Sequence, residues 1–360
     1  MKSEEIIFLN LLGIGFKRYS YIKQNFGSIT NIPSSYYEEV SRILKIDKEI
    51  LEKSGKGLIE DKVKNLLKDN QKFGIGVVTI EDDVYPLRLK DLPDRPILLY
   101  YKGDIKILNS SVSCAIVGTR RNDELGKVYT KNLVDMLVSN SVLVVSGLAR
   151  GIDIIAHRRV IERRGQTVAV LANGLDQVYP PEHKKEFLEI SENGCLVSEY
   201  PIGVRPLKRN FFIRNRIVSG LSDVVVVVQA PEKSGAMITA KYALKQKRTL
   251  FAIPGNIENP LHRGCNILMR EGAIPLIDYK DVLEELGYKS VQTNLFHTGD
   301  HSLSEEEKFI YSLITKNVTI DEISEITGMP VSSVYPILLS LEVKGLILQN
   351  VGGTFSRVIS

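Results

Sequence analysis

Between residues 113 and 277 the chain repeats one pattern, in which short runs that are apolar throughout alternate with longer stretches of helical periodicity. The runs are SCAIVG (113–118), VLVVSG (142–147), TVAVLA (167–172), CLVSE (195–199), VVVVVQ (224–229), TLFAIP (249–254) and AIPLI (273–277). The intervening spacing predicts helices over roughly 125–139, 153–164, 182–192 and 235–246, with a further helix running into Ser219. A strand with no polar face must be covered on both sides, and strict strand–helix alternation makes neighbouring strands parallel. The expected fold is therefore α/β, a Rossmann-like doubly wound parallel sheet. Such sheets bind ligands in the crevice beyond the C-terminal ends of their strands.

The flanks of this region have different periods. Residues 1–70 are predicted to form a helical domain of the SAM/helix-hairpin-helix kind. Leu9, Leu11, Leu12, Ile14, Ile22 and Phe26 are its apolar positions, and Gly13-Ile14-Gly15 supplies a tight turn between two helices. That turn either offers backbone N–H groups to a phosphate or is a plain structural connector. GIGVVTI and ILLYYKG, separated by the turn-rich DDVYPLRLKDLPDRP, read as an extended lead-in over 71–110 to the main domain, which ends near 287. Residues 288–301 are polar and read as a linker. From 302 to 360, three helical patterns followed by two strand-like pieces around Gly352-Gly353 give the order of a winged helix-turn-helix.

Charge distinguishes these parts. Residues 111–290 carry 25 basic against 19 acidic side chains, whereas residues 302–360 carry 4 against 7, so a polyanion partner belongs to the middle of the chain. The third helix of the winged module would offer Ser332, Ser333, Tyr335 and Lys344 but no arginine, which argues for a protein partner or an accessory role over groove reading. Val334, Ile337, Leu338 and Leu341 are candidates for a partner contact or for the module's own core. The densest basic window is Tyr200–Ser222, where Arg205, Lys208, Arg209, Arg214 and Arg216 surround Phe211 and Phe212 with no acidic residue. Cations interleaved with flat rings are what a single-stranded nucleic-acid groove requires. A solvated basic helix with its aromatics in the core has the same composition. The window is expected to be a loop and helix start at the edge of the sheet.

Three strands end in small polar turns, Val117-Gly118-Thr119-Arg120, Val145-Ser146-Gly147 and Ala172-Asn173-Gly174, which should gather on one anion-attracting rim carrying Arg120 and Arg121. Neither G-x-G-x-x-G nor the Walker A pattern occurs, so no dinucleotide, triphosphate or other cofactor is expected. Ser146, Asp153 and His157 raise a hydrolase reading. Ser146 is not in G-x-S-x-G, however, and an Asp–His pair one turn apart more often braces a structure, here the phosphate rim. No catalytic residue is assigned. Cys114, Cys195 and Cys265 match neither a disulfide framework nor a metal pattern and read as core hydrophobes in a reducing compartment, and the histidines include no H-x-x-x-H pair, so no metal is expected. No apolar run approaches a membrane span and the N-terminus has no leader-like pattern, so a cytoplasmic protein is expected.

The chain resembles the bacterial DNA-processing protein A family (DprA, also called Smf). The resemblance rests on AIVGTR (115–120), SGLARGIDIIAH (146–157), GLDQVYPPEH (174–183), FFIRNRIVSGLSDVVVVVQA (211–230), SGAMITAKYAL (234–244), AIPGNI (252–257) and GCNILMREGAIPL (264–276), in that order. It implies a Rossmann-like protein that binds single-stranded DNA cooperatively as a homodimer and hands it to the recombinase RecA in natural transformation, with single-strand-binding protein as a further partner. It places the arginine of the family's GTR motif on Arg120, the basic residue before the aromatic on Lys208 and the base-stacking ring on Phe211. Family members often read F-P-x-R-N-R where this chain has Phe211-Phe212-Ile213-Arg214-Asn215-Arg216, so Phe212 is an alternative stacker. The candidate DNA-binding set is Gly118, Thr119, Arg120, Arg121, Ser146, Gly147, Lys208, Arg209, Phe211, Phe212, Arg214, Asn215 and Arg216, with Arg214 and Arg216 also suited to pinning the loop to strand carbonyls. The rival class is a Rossmann-like phosphoribohydrolase, whose P-G-G-x-G-T-x-x-E loop has only the partial counterparts EKSGAMITA and IPGNIENP here. A transcription factor built on the winged helix is disfavoured by that module's negative charge.

Overall fold

A computed structural model describes residues 1–288, 303–314, 318–343, 346–349 and 354–357. The chain divides into two compact units, Met1–Tyr288 and Lys289–Ser360. Residues 289–301 of the expected linker, Lys344 and the Gly352-Gly353 turn lie outside the described residues.

The first unit opens with helices α1 (Ser3–Leu11), α2 (Phe16–Phe26), α3 (Tyr37–Leu44), α4 (Lys48–Lys53) and α5 (Ile59–Lys72). The Gly13-Ile14-Gly15 turn joins α1 to α2 as expected, and Gly13 takes φ +71°, a conformation that costs glycine nothing. The apolar faces of these helices do not form a core of their own. Ile6, Phe8, Leu9, Ile14 and Ile22 share one buried cluster with Ile97, Leu171, Phe187 and Leu196 of the sheet domain.

Strand β1 (Gly76–Thr79), the one-turn helix α6 (Leu87–Lys90), β2 (Leu98–Gly103) and the one-turn helix α7 (Ile107–Ser110) follow. Then come β3 (Ser113–Val117), α8 (Glu124–Ser139), β4 (Leu143–Ser146), α9 (Ile152–Glu162), β5 (Thr167–Leu171), α10 (Lys184–Asn193) and β6 (Cys195–Ser198). The unit closes with α11 (Lys208–Gly220), β7 (Val224–Val227), α12 (Gly235–Lys245), β8 (Thr249–Ala252), α13 (Arg263–Arg270), β9 (Ile274–Pro275) and α14 (Lys280–Glu285). Each strand lies inside an apolar run read from the sequence. Nine strands form one sheet in the order β1-β2-β6-β5-β4-β3-β7-β8-β9.

The strands from β3 to β9 are parallel throughout. The all-parallel expectation needs one correction: the lead-in strands join the same sheet, β1 antiparallel to β2 and β2 antiparallel to β6. Their connection contains only the one-turn helix α6, and without a full crossover helix the chain returns in the opposite direction. A second correction concerns the basic window. It is not at the sheet edge: α11 carries the chain from β6 across β5, β4 and β3 to β7, so its start lies over the middle of the sheet, where the strand order reverses. The three cysteines are buried and free, and burial pushes the Cys265 thiol up to about 12. Among the described residues no helix is long and apolar enough to cross a membrane.

The second unit has α15 (Glu305–Leu313), β10 (Val318–Thr319), α16 (Ile320–Thr327), α17 (Val331–Val343), β11 (Ile347–Gln349) and β12 (Thr354–Arg357), with the strands in the order β10-β12-β11. Capping boxes start both leading helices, Ser304 with Glu307 and Thr319 with Glu322. Ile310, Ile314, Ile323, Val334, Leu338, Leu341, Ile347 and Phe355 form its core, with Ile337 packed against them. Of the two roles open to Val334, Ile337, Leu338 and Leu341, the structure selects the core.

Candidate nucleic-acid interface

Because α11 crosses the sheet at the reversal of strand order, its first turns face the ends of β3 and β4. The turns after those strands are locked together. The Thr119 amide donates to the Gln229 carbonyl at 2.7 Å, and the Ile152 amide donates to the Thr119 carbonyl at 3.2 Å. Gly151 has φ +79°, and a Cβ there would lie 2.1 Å from the Thr119 oxygen, so only glycine lets the two turns pack. The result is a cleft of ≈ 950 Å³ into which Gly118, Thr119, Arg120, Arg121, Lys208, Phe211, Phe212, Arg214 and Asn215 all open.

These residues sort into a wall, a rim and a floor. The wall is Phe211, whose ring lies 5.6 Å from that of Tyr179, with the guanidinium groups of Arg120 and Arg214 at 5.3 and 5.8 Å from its centroid. Phe212 lines the cleft with 40% of its surface exposed. Arg120, Arg121 and Lys208 form the rim; they are exposed and make no ion pair among the described residues. Cations held without an acidic partner are available for phosphates.

The floor is made of buried polar groups. Arg214 is 4% exposed and donates to the Gly147 carbonyl at 2.7 Å, to the Val170 carbonyl and to Asn215 Oδ1 at 3.1 Å. Burial pulls its guanidinium down to about 10. Gly147 is required beside it, since a Cβ there would meet the guanidinium at 2.6 Å. Asn215 donates to the Gly235 carbonyl at 3.2 Å and ties α11 to the start of α12. Arg216 is paired with Glu199 at 2.5 Å, and Ser146 donates to the Ile116 carbonyl at 2.6 Å. Ser146 and Arg216 are thus committed internally, away from the cleft, whereas Arg214 and Asn215 brace its floor and also line it. Arg209 is exposed on α11, and neither it nor Ser146, Gly147 or Arg216 lines the cleft. The third expected turn of the rim is also closed on itself, with Asn173 donating to the Gly174 and Gln177 carbonyls.

Ser146 and His157 of the expected Ser146, Asp153 and His157 set are hydrogen-bonded to other groups and not to each other. Burial raises the Asp153 carboxyl to about 6 against the pull of Arg214, Arg120 and the nearby backbone N–H groups of Gly147 and Ala149. His157 Nε2 accepts the Leu148 amide at 3.3 Å while its Nδ1 lies 2.8 Å from Thr167 Oγ1. Burial lowers the His157 imidazole to about 3, helped by His183 and Arg214. The sign of its pH effect follows. The folded ring stays neutral while the unfolded one gains a proton below about 6.5, so the His157 contribution to stability is present above that pH and is lost as pH falls toward 3. The imidazole ¹⁵N shifts of His157 should not move between pH 7 and pH 5; a midpoint inside that range would refute the buried, neutral assignment.

Sequence reasoning overlooked Tyr179 and the start of α12, where Lys233, Ser234, Gly235 and Lys241 also line the cleft. The small residues that follow the apolar run 224–229 were the available signal, since a strand end leading into a helix N-terminus is an anion site.

Fold and cleft together define a Rossmann-like protein with a cationic, aromatic-walled site at its topological switch point, followed by a winged helix. The chain belongs to the DNA recombination-mediator protein A family, which matches residues 76–287, and residues 298–353 match the DprA winged helix domain. Among its relatives, Protein Smf of Synechocystis is 34% identical, covering 81% of this chain and 82% of the relative. The DNA processing protein DprA of Bacillus subtilis is 38% identical over 64% of this chain and 78% of its own. The X-ray structure of DNA processing protein A from Streptococcus pneumoniae is similar at TM-score 0.69 and 31% identity, covering 79% of this chain and 98% of that one. DNA processing protein A from Helicobacter pylori, solved for its single-stranded DNA binding mode, is similar at TM-score 0.53 and 36% identity, covering 58% and 95%.

Proposed function

We propose that this protein binds single-stranded DNA in the cleft as a homodimer, shields it and passes it to RecA in the cytoplasm during natural transformation and recombination, with single-strand-binding protein as a further partner. The observation that carries this reading is the convergence of Arg120, Lys208 and Phe211 on one cleft. Unpaired cations hold the phosphates and an aromatic wall stacks the bases, a combination that tolerates any sequence but needs bases that are not already paired. The single-stranded DNA binding mode described for the Helicobacter pylori relative supports it. We read the action as binding without catalysis or cofactor: of the two carboxylates that line the cleft, Asp153 is buried beside Arg214 and Glu232 is paired with Arg263 at 3.3 Å, and the His157 imidazole is held by Leu148 and Thr167.

Titration with labelled oligo-dT and with its duplex, at several salt concentrations, tests the proposal directly. The single strand should bind more tightly; equal or tighter duplex affinity would overturn it. A parallel hydrolysis assay on nucleotides and nucleoside monophosphates should show no turnover, and turnover abolished by His157→Ala would promote the phosphoribohydrolase reading.

The rim can be tested residue by residue. Arg120→Ala and Lys208→Ala should each flatten the log–log salt dependence of single-strand binding by about 0.7, the increment for each phosphate neutralised on a single strand. Both side chains are exposed, so the fold should be unaffected. Wild-type slopes in both variants would place the groove elsewhere.

A further inference from the structure

We propose that the outward face of α17 in the winged-helix unit is a docking surface for a basic, amphipathic helical segment of another protein. Val334, Leu338 and Leu341 turn into the core of that unit and thereby fix the helix's orientation. Val331, Tyr335 and Leu339, each four residues from the next, are left on the solvent side with 42%, 51% and 48% of their surfaces exposed. Isolated exposed apolar residues are ordinary on a soluble protein, but three in register along one helix make a stripe.

Two features of this unit select the occupant. Ser332 and Pro336 are exposed beside the stripe, and Pro336 brings no N–H, so the Ser332 carbonyl lacks its helical donor and is open to one from outside. The module that carries the stripe is acidic, with 7 acidic against 4 basic side chains over residues 302–360. No cation occurs between Val331 and Val343, while Asp321 and Glu325 are exposed on α16, the helix that leads through a short turn into α17. The cations among the unit's described residues are engaged: Lys308 pairs with Glu305 at 2.9 Å, and Arg357 lies over the Tyr311 ring at 4.4 Å and donates to the Tyr311 and Ser312 carbonyls. An apolar stripe with an open acceptor on an acidic module disfavours a phosphate backbone and also a second copy of itself. It complements a helix whose apolar anchors are flanked by Lys or Arg.

The test uses the full-length protein and a fluorescent helical peptide of leucine and lysine, read by anisotropy at physiological salt. A serine/lysine peptide of equal charge and a leucine/glutamate peptide are the controls. The leucine/lysine peptide should bind, and both controls should bind at least about tenfold more weakly. The double change Tyr335→Ser with Leu339→Ser should weaken binding by a similar factor, the scale expected for loss of an aromatic anchor. Ser332→Lys, which leaves every core residue in place, should weaken it through charge alone. Equal binding of the serine/lysine peptide, or unchanged binding in both variants, would overturn the proposal. A loss of duplex affinity or a change of oligomeric state in the double variant would overturn it too, by assigning the face to DNA or to a second copy.

Discussion

Arg214→Ala is expected to destabilise the first unit by about 3–5 kcal/mol, the scale of removing one partner from a buried charged network. The change strips donors from the Gly147 and Val170 carbonyls, which are buried and have no water to turn to. It also leaves Asp153, 7% exposed, without the positive charge beneath it. Arg214→Lys should recover only part of the loss, because an ammonium cannot reproduce the planar fork that reaches two carbonyls and Asn215 at once. Urea unfolding of both variants measures the effect, and a loss below about 1 kcal/mol for the alanine variant would mean that the floor is not held by this side chain. Single-strand affinity should fall with it, since Gly147 and Asn215 position the turns on which Arg120 and the start of α12 stand.

Phe211→Ala should weaken oligo-dT binding by about 1–3 kcal/mol while leaving the salt slope nearly unchanged, because a stacking ring contributes no counterion release. The opposite signature, a flattened slope with a small change in affinity, belongs to the rim cations. Comparing the two separates stacking from charge within one cleft. Phe212→Ala is the control for the alternative stacker: its ring also lines the cleft but, among the described residues, has no aromatic neighbour comparable to Tyr179 beside Phe211. If neither variant weakens binding while both keep the wild-type melting temperature, the aromatic wall has no part in recognition.

Much of the fold could be read from local patterns. The apolar runs from 113 to 277 contain β3 to β9 because burial on both faces leaves no polar position to interrupt a strand. The Gly13-Ile14-Gly15 turn and the order of the winged unit were likewise written in short stretches, where glycine and capping residues act on their immediate neighbours. The antiparallel β1–β2 pair was not, since strand direction depends on how the connection packs and not on the strand's composition.

The candidate site divides along the same line. The sequence by itself determined that five cations and two phenylalanines would stand together between two strands, with Arg120 on a neighbouring strand end. Only the tertiary structure decided which of those cations are free. Arg214 finds its acceptors 67 and 44 residues away on the turn after β4 and on β5, and Arg216 finds Glu199 17 residues upstream. The sequence offered Arg214 and Arg216 both as phosphate ligands and as pins for strand carbonyls; the structure gives Arg214 the carbonyls and pairs Arg216 with Glu199 instead. Desolvation and a partner are properties of position, set when α11 crosses the sheet. The same guanidinium that would neutralise a phosphate at the rim becomes, buried further along α11, a brace for strand carbonyls.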